Sequence, residues 1–246
     1  MIVAIIIARK GSTRLPGKNA RLLCGKPLTE WSIIQAKCSR LIDHVILATD
    51  HEGLAGIALK HGCSVHWREN VKDDDPGNIP FLNAMNWYEG DTGEKPEAYV
   101  TMLPTAPLRL PGQLDEGIVR FRRGDADIVE WIWVQKEFYP HHLVYKGDTP
   151  MWAFPCRFDK GWNYGTPFGG DTVMHGDTYR KVTEYTIDHE GVVCAWRGFY
   201  GIVPVQQWQL GETDTEESFA DVELFMKNRI LFPLGEDCYE RYREGR

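Results

Sequence analysis

Residues 2–8 read Ile-Val-Ala-Ile-Ile-Ile-Ala, seven apolar positions without a polar interruption. Such a run is the pattern of a short strand buried on both faces, so layers of structure must cover it from either side. It leads directly into a loop with four cations (Arg9, Lys10, Arg14, Lys18), two hydroxyls (Ser12, Thr13) and two glycines (Gly11, Gly17). A loop this basic at the carboxyl end of a buried strand suits a polyanion. Glycines let the backbone approach oxygens closely, and the cations offset charge that would otherwise repel itself. The ligand this points to is a nucleoside triphosphate. The spacing is not that of the Walker loop, because five residues separate Gly11 from Gly17-Lys18 where that motif has four, and Asn19 follows in place of Ser or Thr. Nor is it the dinucleotide fingerprint, which lacks clustered cations. The plain alternative is a solvated basic turn after a strand.

The chain then alternates. Helical spacing predicts helices over 29–40, 51–61, 79–88 and 114–122, and apolar runs predict strands over 44–49, 63–67, 98–103 and 127–134. Strands separated by helices mean right-handed crossovers and a largely parallel sheet, with ligands beyond the carboxyl ends of the strands. The expected fold class is therefore α/β and Rossmann-like, with helices on both faces. The rhythm breaks over 135–198, which is rich in aromatics, Gly and Pro, and short antiparallel strands are the expectation there. A strand at 199–203 and an acidic-capped helix at 215–227 restore it. The predicted division is a nucleotide-binding domain of 1–134 and 199–246 carrying an insertion at 135–198.

With 246 residues and 43% hydrophobic content, a real core is available to one α/β domain with an insertion, or to two small domains. The net charge of −7 argues against broad phosphate neutralisation on nucleic acid, and a basic loop in an acidic chain points to a small anionic ligand. No apolar run approaches the roughly 18 residues of a membrane span, and the first one is too short for a signal-peptide core. The six cysteines are scattered without metal-site spacing, as reduced thiols in a cytoplasmic enzyme would be.

The segment Ser12-Thr-Arg-Leu-Pro-Gly-Lys-Asn19 resembles the N-terminal signature of the cytidylyltransferases that activate acidic sugars, the CMP-sialic acid and CMP-Kdo synthetases. Three further segments are similar to motifs of that family. Leu103-Pro-Thr-Ala-Pro-Leu-Arg109 looks like its Gln-Pro-Thr-Ser-Pro-Leu-Arg, with Leu103 in place of the sugar-contacting glutamine and Ala106 in place of serine. The segment Arg68–Asn78 is similar to the base-holding stretch, in which an arginine meets the O2 and N3 acceptors of cytosine. Gly211-Glu-Thr-Asp-Thr-Glu-Glu-Ser218 resembles the metal-holding turn; Glu212 and Asp214 alternate and offer hard oxygens to Mg²⁺, while Asp214 or Thr215 is equally an ordinary helix N-cap. The triple Asp73-Asp74-Asp75 lacks calcium-loop spacing and reads either as a solvated turn or, for Asp75 with Asn78, as part of the base loop.

The resemblance implies transfer of CMP from CTP to an acidic 2-keto sugar, sialic acid-like or Kdo-like, with release of pyrophosphate. It implies Arg9, Arg14 and Lys18 as catalytic cations and Ala8, Arg9, Gly11, Ser12, Lys18, Asn19, Arg68 and Asn78 around the nucleotide. Leu103, Thr105 and Arg109 would face the acceptor, and Asp214 and Glu212 would hold Mg²⁺. Lys10 is a weaker candidate cation, and Lys136, Arg157 and Lys181 are candidate partners for the sugar carboxylate. The aromatic-rich insertion would complete the sugar pocket and form a homodimer arm, with the adjacent His141 and His142 at a surface or subunit contact. Two alternatives stand beside this reading: a nucleotidyltransferase for a sugar phosphate or polyol phosphate, and a catalytically inactive nucleotide-binding homologue.

Overall fold

Seven strands form one sheet, and the first apolar run lies inside it. They are β1 (Ile2–Ala8), β2 (His44–Thr49), β3 (Ser64–Trp67), β4 (Ala98–Met102), β5 (Ile128–Gln135), β6 (Tyr164–Met174) and β7 (Tyr200–Pro204), in the spatial order β7-β5-β6-β4-β1-β2-β3. The computed structural model describes residues 1–246 apart from 13, 70–77, 136–142, 147–148, 153–156, 159–160, 163, 189–199 and 246, with side chains described outside 134–170 and 185–200. Pairing is parallel between β1 and both its neighbours, between β2 and β3, and between β5 and β7. Strand β6 runs antiparallel between β4 and β5. The predicted α/β class and largely parallel sheet are thus what the chain builds.

Burial on both faces of β1 explains its uninterrupted apolar sequence. Ile2, Ala4 and Ile6 enter a core formed with α1 (Leu28–Cys38), α2 (Glu52–Lys60), α4 (Gln113–Phe121) and α6 (Glu216–Phe225). Val3 and Ile5 enter the opposite core, against Phe81 and Met85 of α3 (Ile79–Thr92) and Tyr179 and Val182 of α5 (Gly176–Asp188). Helix α4 comes unusually close to β5. A Cβ on Gly117 would lie 2.2 Å from Trp131 Cζ2, so the buried indole occupies the space a side chain would need.

Several boundaries move for identifiable reasons. His51 caps α2 instead of joining it, its Nδ1 accepting from the Gly53 and Leu54 amides at 3.1 and 3.4 Å. Helix α3 runs past Tyr88 to Thr92 and stops at Gly93, whose φ of 71° suits glycine. Helix α6 ends at Phe225 and continues as a π-helix, Met226–Leu231. Helix α5 lies where short antiparallel strands were expected, and α7 (Cys238–Glu244) lies where no element was predicted. Strand β6 sits at the centre of the sheet, although its residues fall within the span read as an insertion. Its glycines, proline and polar residues hide the alternation of an ordinary strand; its two neighbours define it.

Candidate active site

The chain leaves β1 in one direction across the sheet and β4 in the other, since β2 lies on one side of β1 and β4 on the other. That divergence opens a crevice beyond the carboxyl ends of β1 and β4, the general ligand position of open α/β sheets. The basic loop closes one wall of it and the Leu103–Arg109 turn the other.

The basic loop is held from beneath. Leu15, 5% exposed, anchors it in the core, and Gly17 turns it at φ 67°. Thr49 donates from its hydroxyl to the Ala8 carbonyl at 2.6 Å, and the Lys10 amide donates to Asp50 Oδ1 at 2.6 Å. Asn19 was predicted at the nucleotide but is buried: its amide donates to the Arg9 carbonyl at 2.9 Å, and its own carbonyl accepts from Thr29. It shapes the loop from inside. Gly11 and Lys10 are exposed, Arg9 is half-buried, and the Ser12 hydroxyl is buried without a hydrogen-bond partner among the described residues. Thr13 lies outside the described residues.

Asp214 faces this loop from the far end of the sequence. Its two carboxylate oxygens accept from Arg14 and from Lys18, residues 200 and 196 positions away. Lys18 and Asp214 are 14% and 19% exposed, whereas Arg14 is 74% exposed, so the Lys18 pair is the better shielded of the two. Burial opposes ionisation of Asp214, but the hydrogen bonds from Lys18 and Arg14 outweigh it and hold the carboxyl below its ordinary range. Thr215 caps α6, with Ser218 completing the capping box, so Asp214 is left for the crevice. Neighbouring contacts fix the turn. Arg21 pairs with Glu216 at 2.6 Å and lies over Phe219, and buried Gln209 donates to the Leu108 carbonyl at 2.9 Å. Glu212 is exposed.

Arg109, expected at the acceptor, is 1% exposed. Its guanidinium is occupied by Asp171, Gln35, Ser32 and the Leu103 carbonyl, so in this structure it braces the turn from inside. Leu103 and Thr105 are half-buried, and Leu103 packs against the core that contains Phe81 and Tyr179. Arg68 ends β3, its amide bonded to the Thr49 carbonyl at 3.0 Å, and Asn78 precedes α3 with its carbonyl accepting from Tyr179 at 3.3 Å. Residues 70–77 between them, with the three aspartates, lie outside the described residues, as do Lys136, His141 and His142; the Arg157 side chain is likewise not described. Lys181 is exposed on α5. Sequence reasoning missed the buried polar set Gln35, Asp171, Gln209 and Tyr239. Gly169-Gly170 hinted at a strand irregularity beside Asp171, but the glutamines carry no local signal.

Among the described residues no helix is long and apolar enough to cross a membrane, and no group of three or more His, Cys, Asp or Glu side chains is placed to hold a metal. A single recessed carboxylate next to a phosphate-type loop still matches Mg²⁺, which is often held by one or two carboxylates, with substrate phosphates and water as its other ligands.

Residues 3–86 match the profile of the family described as cytidylyltransferase. The chain is 35% identical over 112 residues to CMP-N,N'-diacetyllegionaminic acid synthase of Legionella pneumophila, covering 45% of this chain and 48% of that protein. It is 50% identical over 83 residues to 3-deoxy-manno-octulosonate cytidylyltransferase of Bdellovibrio bacteriovorus, covering 34% and 32% of the two chains. The matched span is thus half or less of either relative's length. In fold, the chain is similar to the structure of CMP:2-keto-3-deoxy-manno-octonic acid synthetase complexed with CTP, with a TM-score of 0.66 at 16% identity over 93% of this chain and 99% of that one. It is also similar to 4-diphosphocytidyl-2C-methyl-D-erythritol synthase from Anaerococcus prevotii, with a TM-score of 0.58 at 15% identity over 92% and 98% of the two chains.

Proposed function

From a chain whose residues 3–86 match the cytidylyltransferase profile, we propose an enzyme that transfers CMP from CTP to an acidic 2-keto sugar and releases pyrophosphate. The observation that carries this reading is the convergence of Arg14, Lys18 and Asp214 at the crevice beyond β1. A recessed carboxylate paired with two loop cations suits a triphosphate, for which the cations are released to the phosphate oxygens.

The acceptor hydroxyl oxygen forms a bond to the α-phosphorus. The bond from that phosphorus to the α,β-bridging oxygen breaks, pyrophosphate departs with the electron pair, and the hydroxyl proton passes to solvent. No side chain acts as nucleophile. Lys18, Arg14 and Arg9 stabilise the charge that builds on the leaving pyrophosphate, and the braced loop holds them in place before the reaction begins. Arg68 follows β3, two strands from β1 and so roughly 10 Å from it, a separation suited to a base beside the phosphates, and Asn78 precedes α3. Asp214 would hold the Mg²⁺ ion, with exposed Glu212 as a candidate second donor; the ion, when bound, supplies further neutralisation of phosphate charge.

A homodimer belongs to the same reading and is checked by light scattering. Leu103, which offers the acceptor carbon in place of an amide, favours one second reading, a sugar phosphate or polyol phosphate as acceptor. The deciding experiment is a pyrophosphate-release assay with CTP against a panel of 2-keto acidic sugars and sugar phosphates. Release with an acidic sugar supports the first reading, release with a phosphorylated acceptor alone supports the second, and no release from any combination points to the inactive homologue.

A further inference from the structure

The turn after β4 is gripped at one residue from two sides. The Leu103 amide donates to Asp171 Oδ1 at 3.1 Å, and the Leu103 carbonyl accepts from Arg109 Nη2 at 2.9 Å. Asp171 and Arg109 are bound to each other by two parallel hydrogen bonds, Nε to Oδ2 at 2.5 Å and Nη2 to Oδ1 at 2.7 Å, and both side chains are 1% exposed. Arg109 is held in turn by Gln35 at 3.0 Å and Ser32 at 3.3 Å on α1, and its carbonyl accepts from Tyr239 of α7 at 2.5 Å. Asp171 lies where the register of β6 against β5 shifts between Pro167 and Thr172. Such irregularities commonly re-aim a side chain.

A buried ion pair is weak evidence for stability, since apolar residues of the same volume often do as well. This one is also a poor candidate for a mere filler, because both members close on the same backbone residue at the crevice mouth. We propose that Asp171 and Arg109 are a positioning pair that fixes the Leu103–Thr105 turn as the acceptor-side wall. With its amide and carbonyl both occupied, Leu103 leaves to the crevice only the exposed part of a side chain that otherwise packs against the core. The nearest polar group of the turn is then Thr105, so an acceptor meets carbon at 103 and a hydroxyl at 105. The assignment of this wall to the acceptor rests on the function proposed above; the grip on Leu103 does not.

The test uses the full chain and two kinds of readout. In the wild-type protein the Leu103 amide should exchange with deuterium at least about 100-fold more slowly than an unstructured amide, as a buried, bonded N–H does. Exchange at the unstructured rate overturns the proposal whether or not any acceptor turns over, so its failure is separable from failure of the functional reading. In the double variant R109M/D171L the melting midpoint should stay near wild type while Leu103 exchange accelerates. In the pyrophosphate assay its KM for the acceptor should rise about tenfold, roughly the effect of one lost hydrogen-bonding interaction, with the KM for CTP within about twofold. A folded double variant with wild-type acceptor KM and wild-type Leu103 exchange overturns the positioning role. If that variant fails to fold, D171N decides instead. It keeps one carbonyl oxygen but cannot serve the amide and both guanidinium donors, so faster Leu103 exchange is expected, and unchanged exchange overturns the proposal.

Discussion

Lys18 and Asp214 show how far one contact can be argued. Lys18 is more shielded than Arg14, and its ammonium is paired with Asp214 on the protein's surface side of the core. Lys18→Ala should therefore leave the melting midpoint within a few degrees and slow turnover on the order of 10²–10³-fold, the usual cost of one preorganised group that stabilises developing charge. Near-wild-type turnover would reduce the loop to a basic surface turn. Asp214→Asn separates metal binding from capping more cleanly than the sequence suggested, because Thr215 is the cap. If Asp214 holds Mg²⁺, the rate against Mg²⁺ concentration should shift to higher concentrations for the variant; superimposable curves would leave the phosphates alone to hold the ion. Because its carboxyl lies below its ordinary range, the Asp214 pairings add stability above the ordinary carboxylate pKa and lose it as pH falls. Glu130 has the opposite sign. Burial pushes its carboxyl from 4.5 up to about 7, so the folded protein holds a proton that the unfolded chain has released. Stability should then fall as pH rises from about 4.5 to 7 and level off above, and Glu130→Gln should flatten that slope and raise the melting midpoint at pH 8. An unchanged pH profile in thermal melts would show that Glu130 ionises normally.

Between α4 and β5 the packing of one glycine against one tryptophan sets the distance of helix from sheet. Gly117 faces Trp131, whose indole N–H donates to the Gln113 carbonyl at 3.0 Å and so cannot swing away without losing that bond. Gly117→Ala gains helix propensity of roughly 1 kcal/mol. It also forces overpacking that typically costs 1–3 kcal/mol. The clash should win, and a denaturant melt should show net destabilisation. A more stable variant would mean that α4 can shift outward freely. The same element carries Gln113, whose carboxamide oxygen accepts from the Leu110 amide and from buried Gln209, so a displaced α4 would also loosen the connection that leads to Asp214.

At the scale of the whole molecule, the basic loop after β1, Arg68 after β3 and the Asp214 turn come from distant parts of the chain, so a ligand that spans them should stiffen the entire fold. Saturating CTP with Mg²⁺ is expected to raise the melting midpoint; at 100 times its Kd a ligand adds about 2.7 kcal/mol. GTP at the same concentration should shift it less, because its base does not present the cytosine acceptors to Arg68. Equal shifts with CTP and GTP would show that the site reads phosphates alone.

The sequence by itself determined the sheet's middle and the phosphate loop. Ile2–Ala8 had to be covered on both faces because nothing polar interrupts it, and the cations that follow are local in the chain, so spacing alone exposed them. Asp214 was legible as a hard oxygen donor before a helix, because helix starts have a local code. Tertiary structure alone decided which of these residues meet. Asn19 and Arg109 look like ligand-facing polar groups in the sequence, yet each is buried and bonded to backbone or to a partner brought in from elsewhere. Asp171 carries no motif, and β6 lacks the alternation of a strand, because its position is imposed by β4 and β5 on either side. Hydrophobic periodicity and capping report on a residue and its near neighbours in sequence. The ion pair beneath the Leu103–Thr105 turn joins residues 62 positions apart, and only the closed fold supplies the desolvated space in which that pairing is required.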